Sequence, residues 1–159
     1  MLENLKQRFS ESGYKCLILR DGEEVFSSVG RGIYPIVQGL PKMKFAAVAD
    51  RIIGRAAALL CVHGGALAVY ADVITESAAE VFAEYGILFE FGEITDKILN
   101  RDQTGLCPFE ILAQETTCPK QMLGRVALKL EEFGMELPSE LELGCGGGKS
   151  CCGNHKEGQ

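Results

Sequence analysis

Residues 45 to 91 read FAAVADRIIGRAAALLCVHGGALAVYADVITESAAEVFAEYGILFEF, and the punctuation of this stretch decides the fold. Phe45 to Val48 is a short apolar run that predicts a strand. Asp50 is a residue type that caps helices, and Gly64 stops the helix that follows after roughly three turns. Ala66 to Val73 is apolar too continuously for a half-exposed strand, which predicts a central strand covered on both faces. Thr75 caps the next helix, Gly86 ends it, and Ile87 to Phe91 supplies another strand. Strand, helix, strand, helix, strand in this order calls for a parallel sheet with right-handed crossovers. The expected fold class is therefore α/β.

Toward the N-terminus, Leu2, Leu5 and Phe9 have helical spacing and Gly13 ends the segment. Tyr14 to Arg20 and Glu23 to Ser28 are joined by Asp21-Gly22, the dipeptide suited to a type I′ turn, so an antiparallel hairpin should form one edge of a mixed sheet. Val29 to Pro41 reads as an ordered loop carrying Arg31 between Gly30 and Gly32, where backbone can approach a ligand closely. Toward the C-terminus, Asp96 to Arg101 predicts one helical turn and Asp102 to Gly105 a turn. Pro108 and Pro119 each stand at a first helical position, where the missing N–H costs nothing. Met122, Leu123, Val126, Leu130 and Phe133 fall on one face of the second of these helices. Periodicity ends at Pro138. The reading is one domain over residues 1–135 with extra C-terminal helices, followed by a flexible Gly- and Cys-rich tail over 136–159.

The chain has 159 residues, with 16 basic and 22 acidic side chains and a net charge of −6, which fits one domain and argues against general nucleic-acid binding. With 47% hydrophobic residues, a core needs neither disulfides nor a structural metal. The first residues lack the pattern of a secretory signal, and Ala56 to Ala71, the longest run without charge, is shorter than a bilayer span of about 20 residues. The expectation is a cytoplasmic protein with no membrane association, whose seven cysteines are mostly thiols. Homo-oligomerisation is compatible with this composition.

Four segments carry a resemblance: Lys15 to Gly22, Arg31 to Pro35, Ala49 to Ala58, and Cys107-Pro108-Phe109-Glu110. Together they resemble a prokaryotic domain family of unknown function with the cytidine-deaminase-like fold. The resemblance covers roughly residues 1 to 115 and implies a three-layer fold, not an activity. The zinc deaminases need His-x-Glu at one helix start and Pro-Cys-x-x-Cys at the next. Here Val48-Ala49-Asp50 and Ile74 to Ala78 stand in those places, so a zinc-dependent deaminase is not expected and no cofactor is assigned to the main cleft.

Charged residues replace the metal motifs. Read on one helix, Asp50, Arg51 and Arg55 surround Gly54, with the two arginines spaced i, i+4, an arrangement suited to a phosphate or carboxylate. Capping by Asp50 and surface ion pairs would explain the same residues. The expected ligand is an anionic small molecule, such as a nucleotide or related metabolite, in a cleft between the starts of two helices. Arg31, Gly32, Asp50, Arg51, Gly54 and Arg55 would bind it, with Ser77, Asn100 and Arg101 completing the wall. An enzymatic alternative uses Cys107 as a nucleophile at a helix start, or Glu110 or Asp50 for acid/base chemistry, although Cys107 and Glu110 also have the spacing of a capping box. In the tail, Cys145, Cys151, Cys152 and His155 offer the inventory of a Cys₃His zinc site. That segment resembles a shortened zinc-binding tail of bacterial secretion ATPases, with Leu143 in place of the first cysteine. A regulatory or interaction module with a metal-binding tail is the third reading.

Overall fold

The Asp21-Gly22 turn makes the hairpin as expected, with φ of 55° and 82° at its two residues. In the computed structural model, which describes residues 2–30, 32–96 and 108–138, the hairpin strands are β1 (Cys16–Arg20) and β2 (Glu23–Ser28). They follow helix α1 (Leu2–Ser12) and precede α2 (Tyr34–Gly39) and a 3₁₀ turn (Leu40–Lys42). Two crossover units come next: β3 (Ala47–Ile53), α3 (Arg55–Gly64), β4 (Ala68–Thr75), α4 (Glu76–Tyr85) and β5 (Leu88–Thr95). Helices α5 (Pro108–Gln114) and α6 (Pro119–Glu132) complete the described chain. The five strands form one mixed sheet in the order β2-β1-β3-β4-β5. β1 is antiparallel to both its neighbours, while β3, β4 and β5 run parallel.

Helix α1 covers one face of the sheet by packing Leu5 and Phe9 on Leu17, Leu19, Ala47, Ala49, Ala68 and Tyr70. The other face carries α3 and α4. In α3 the six consecutive residues Ala56 to Cys61 are all buried. Such a helix is covered all round, with the sheet beneath it and α5 and α6 above. This gives a three-layer α/β protein with its C-terminal helices stacked on α3. In α6, Met122, Leu123, Val126 and Leu130 enter the core, whereas Phe133 at the C-cap is 56% exposed and meets the Phe109 ring edge-on.

Two expectations are corrected. The stretch read as a loop contains α2, which buries Pro35, Ile36 and Val37. A Cβ on Gly39 would lie 2.6 Å from Ile18 Cδ1 and 3.0 Å from Phe26 Cδ2, so glycine lets this helix rest on the hairpin. Second, Asp50 and Arg51 belong to a strand. Asp50 is held in register between Cys16 of β1 and Ala71 of β4, and the β-branched Ile52 and Ile53 continue the extended run. The helix begins only at Arg55, with an extended Gly54 as N-cap (φ −102°, ψ −173°), so Arg51 and Arg55 do not share a helix face. Among the described cysteines, Cys118 is disulfide-bonded, while Cys16 and Cys61 are free buried thiols. The uncharged run from Ala56 divides between α3 and β4, and no described helix is long and apolar enough to cross a membrane.

Candidate functional site

β3 ends beside the start of α3, and a cavity of about 400 Å³ opens there. Its polar lining comes from Lys15, Asp50 and Glu110, and its apolar lining from Ile33, Ile52, Ala57 and Phe109. Gly30, Gly32 and Gly54 bring bare backbone to its surface. Strand alternation explains the placement of Asp50, because Val48 and Asp50 point to the α3 side while Ala49 and Arg51 point to the α1 side.

Asp50 is only 6% exposed. Its Oδ1 accepts a 2.6 Å hydrogen bond from the Arg51 backbone N–H, and it has no salt-bridge partner among the described residues. Burial pushes its carboxyl well above the usual carboxylate range, and nearby Asp72 adds to this, against lowering by the N–H groups of Arg51 and Ile52 and by the Arg51 charge. Cys16, opposite Asp50 on β1, and Cys61 on α3 are likewise pushed up, first by burial and then by the Asp50 charge. They are poor nucleophiles for that reason.

The start of α3 is filled from within the protein. The Glu110 carboxylate accepts from the Arg55 N–H through Oε1 (3.0 Å) and from the Ala56 N–H through Oε2 (3.1 Å). A Cβ on Gly54 would stand 2.6 Å from this carboxylate, so glycine clears the space it occupies. Burial raises the Glu110 pKa, and the two N–H bonds and the Arg55 charge pull the other way. With both oxygens engaged, Glu110 is placed as a tertiary helix cap.

The sequence-selected residues therefore separate. Gly32, Asp50, Arg51, Gly54 and Glu110 border the cavity. Arg51 sends its guanidinium to the α1 side, where NH1 lies 3.1 Å from Asp72 Oδ2 and the group sits 5.3 Å above the Phe9 ring. Tyr70 donates to the other oxygen of Asp72 at 3.0 Å. Arg55 also turns away, donating to the carbonyls of Ala113 (2.9 Å) and Thr116 (3.1 Å) and so fastening the end of α5. Ser77 lies in the first turn of α4 and is not among the residues lining the cavity. Arg31, Asn100, Arg101, Cys107, Cys145, Cys151, Cys152 and His155 lie outside the described residues. Among the described residues, no group of three or more His, Cys, Asp or Glu side chains is placed to hold a metal.

Sequence reasoning missed Lys15 and Phe109 as cavity residues. Lys15 is half-buried beside β1 and makes no ion pair among the described residues. In the sequence it stands inside the Tyr14 to Arg20 run and opens the Lys15 to Gly22 segment, where nothing marks its side chain for a cavity. Phe109 stood inside a quoted motif, overshadowed by the neighbouring Glu110.

A family model described as TM1506, domain of unknown function (DUF1893), matches residues 4–130. Among solved structures, the crystal structure of a DUF1893 family protein (TM1506) from Thermotoga maritima is similar, with 26% identity and a TM-score of 0.73. The similarity covers 81% of this chain and 88% of that one. No curated protein matches the chain.

Proposed function

The chain belongs to the DUF1893 family, and from the cavity geometry we propose that it binds a small molecule combining a hydrogen-bonding ring with one anionic group, as a nucleotide does. One observation carries this reading: a carboxyl group, 6% exposed, borders an open cavity and has no ionic partner among the described residues. A buried carboxyl without such a partner is costly, and N–H groups on a ligand ring would add hydrogen bonds to those from the Arg51 and Ile52 backbone. Lys15 would face the anionic group. Ile33, Ile52, Ala57 and Phe109 would enclose the apolar body. The cavity volume lies within the range of small-molecule sites, roughly 300–1,000 Å³.

Two features modify the expected anion site. Glu110 occupies the N–H groups of α3, and the charged ends of Arg51 and Arg55 are engaged elsewhere. The ligand's charge therefore belongs at Lys15 and the backbone of Gly30 and Gly32, away from the helix start. The strand order, with an antiparallel hairpin beside three parallel strands, supports reading the fold as deaminase-like.

The test is a thermal-shift panel of nucleosides, nucleoside monophosphates and sugar phosphates. A ligand at 100 times its Kd adds about 2.7 kcal/mol of stability. Monophosphates should raise the melting temperature more than nucleosides, Lys15→Ala should erase that preference, and Asp50→Asn should weaken both classes. Absence of any shift with folded wild-type protein at millimolar ligand overturns the proposal.

A further inference from the structure

The two edges of the sheet are built differently. β2 is a guarded edge: it carries Glu23 and Glu24, and its pairing with β1 contains a register shift between Ile18 and Leu19. Charges and bulges of this kind discourage strand addition. β5 has eight residues, pairs with β4 from Ala68↔Leu88 to Thr75↔Thr95, and has no described strand on its other side. It also exposes large apolar side chains, with Leu88 65%, Ile94 49% and Phe91 39% exposed. Phe89 packs against Phe82 of α4 and Phe91 stacks on Phe89, which places odd-numbered residues on the α4 side and Leu88, Glu90, Gly92 and Ile94 on the α1 side.

We propose that β5 pairs antiparallel with β5 of a second copy about a two-fold axis at Phe91, joining two five-stranded sheets into one. The sequence selects both partner and register. An axis perpendicular to the sheet keeps like faces together, so only registers that place even residues opposite even residues are allowed. Centring on Phe91 sets Leu88 against Ile94 of the partner subunit twice, Phe91 against Phe91 of the partner subunit, Glu90 against Gly92 of the partner subunit, and the half-buried Phe89 against Glu93 of the partner subunit. Centring on Glu90 sets two carboxylates face to face. Centring on Gly92 sets Phe91 against a glutamate and Leu88 against Asp96. Among these three, only the Phe91 register pairs the exposed apolar side chains and keeps like charges from standing directly opposite. Its two Glu90 side chains meet only on the diagonal, roughly 7–8 Å apart, where solvent screens them. Paired strand edges bury less than the roughly 800 Å² per partner of a stable interface, so the dimer should be weak and concentration-dependent.

Sedimentation of the full chain over a concentration series tests this. The mass should rise from that of one chain toward two as concentration increases. Phe91→Lys and Ile94→Lys should hold it at one chain throughout, with an unchanged circular dichroism spectrum, while Leu128→Lys on exposed α6 should leave the dimer intact. The register has its own readout that does not depend on the lysine variants folding. Directly opposed residues have Cα atoms about 4.5–5.5 Å apart, within disulfide reach. Phe91→Cys, treated with the oxidant diamide, should give disulfide-linked dimers in excess of similarly treated wild type, and Phe89→Cys should not. A wild-type protein that stays monomeric at all concentrations, a dimer that ignores the β5 substitutions, or equal cross-linking at both positions overturns the proposal.

Discussion

The parallel helices α3 and α4 each begin where a parallel strand ends, yet their first N–H groups are satisfied in opposite ways. At α4 the cap is local: Thr75, 1% exposed, accepts from the Ala78 N–H at 3.0 Å. At α3 the N-cap is Gly54, which has no side chain to offer, and the acceptor is Glu110, more than fifty residues away in sequence. A local cap makes a helix start self-contained. A tertiary cap makes it conditional on the docking of another element, here α5, which also brings Phe109 to the cavity wall. The α3 end thus couples the central helix of the core to one side of the candidate site.

Removing the tertiary cap should have the largest effect. Glu110→Ala leaves two N–H groups of α3 without their acceptor, and an unsatisfied buried donor costs about 1–3 kcal/mol. A loss of about 2 kcal/mol corresponds to a melting-temperature drop of roughly 4–8 °C for a protein of this size. Gly54→Ala should approach the same loss, because its Cβ would displace the carboxylate. In a Glu110→Ala background, Gly54→Ala should cost much less, which a double-mutant cycle of chemical unfolding measures directly. Additive losses would mean that Gly54 serves some other purpose and would break the proposed coupling. Hydrogen exchange supplies the spatial check, with Glu110→Ala accelerating exchange in α5 as well as at the start of α3.

Thr75→Ala should cost less, about 1 kcal/mol, as is typical for loss of an N-cap side chain. Its faster hydrogen exchange should stay within the first turn of α4. Acceleration in α5 of the size seen with Glu110→Ala would erase the distinction between the two ends.

The same distinction explains what the sequence made legible. Thr75 sits immediately before the helix it caps, so its role could be read from position alone, as could the Asp21-Gly22 turn and the prolines that open α5 and α6. At α3 local chemistry misled. Asp50 is a good cap residue, but sheet pairing on both sides holds it in a strand, five residues before the first helical residue, Arg55. Gly54, read as part of a helix, is instead its N-cap, and its reason, room for the Glu110 carboxylate, becomes visible only once α5 is docked. The fold class was legible because strand and helix periods are local. The cavity lining was legible at Gly32, Asp50, Gly54 and Glu110, but the directions of Arg51 and Arg55 were not. Those directions depend on Asp72 and on carbonyls of Ala113 and Thr116, partners that no short-range pattern announces.

The remaining expected effect is a gain in stability, and it sharpens the contrast from the strand side. Where β3 places Asp50, the neighbouring position on β4 is Ala71, so only the α3 end carries a buried carboxyl. Burial raises the Asp50 pKa in the folded state, which means that the native protein holds this proton more tightly than the unfolded chain does. Between the unfolded value of about 3.9 and the raised native value, folding takes up a proton, and stability must fall as pH rises through that window. Asp50→Asn keeps the shape and removes the ionisation. The variant should match wild type below pH ~4, then become progressively more stable as pH rises through the window, after which the difference levels off. Urea unfolding at several pH values reads this difference with the slope of the Glu110 titration common to both proteins. A difference independent of pH would show that Asp50 keeps an ordinary pKa in the folded protein, and the α3 end would then differ from the α4 end in its cap alone.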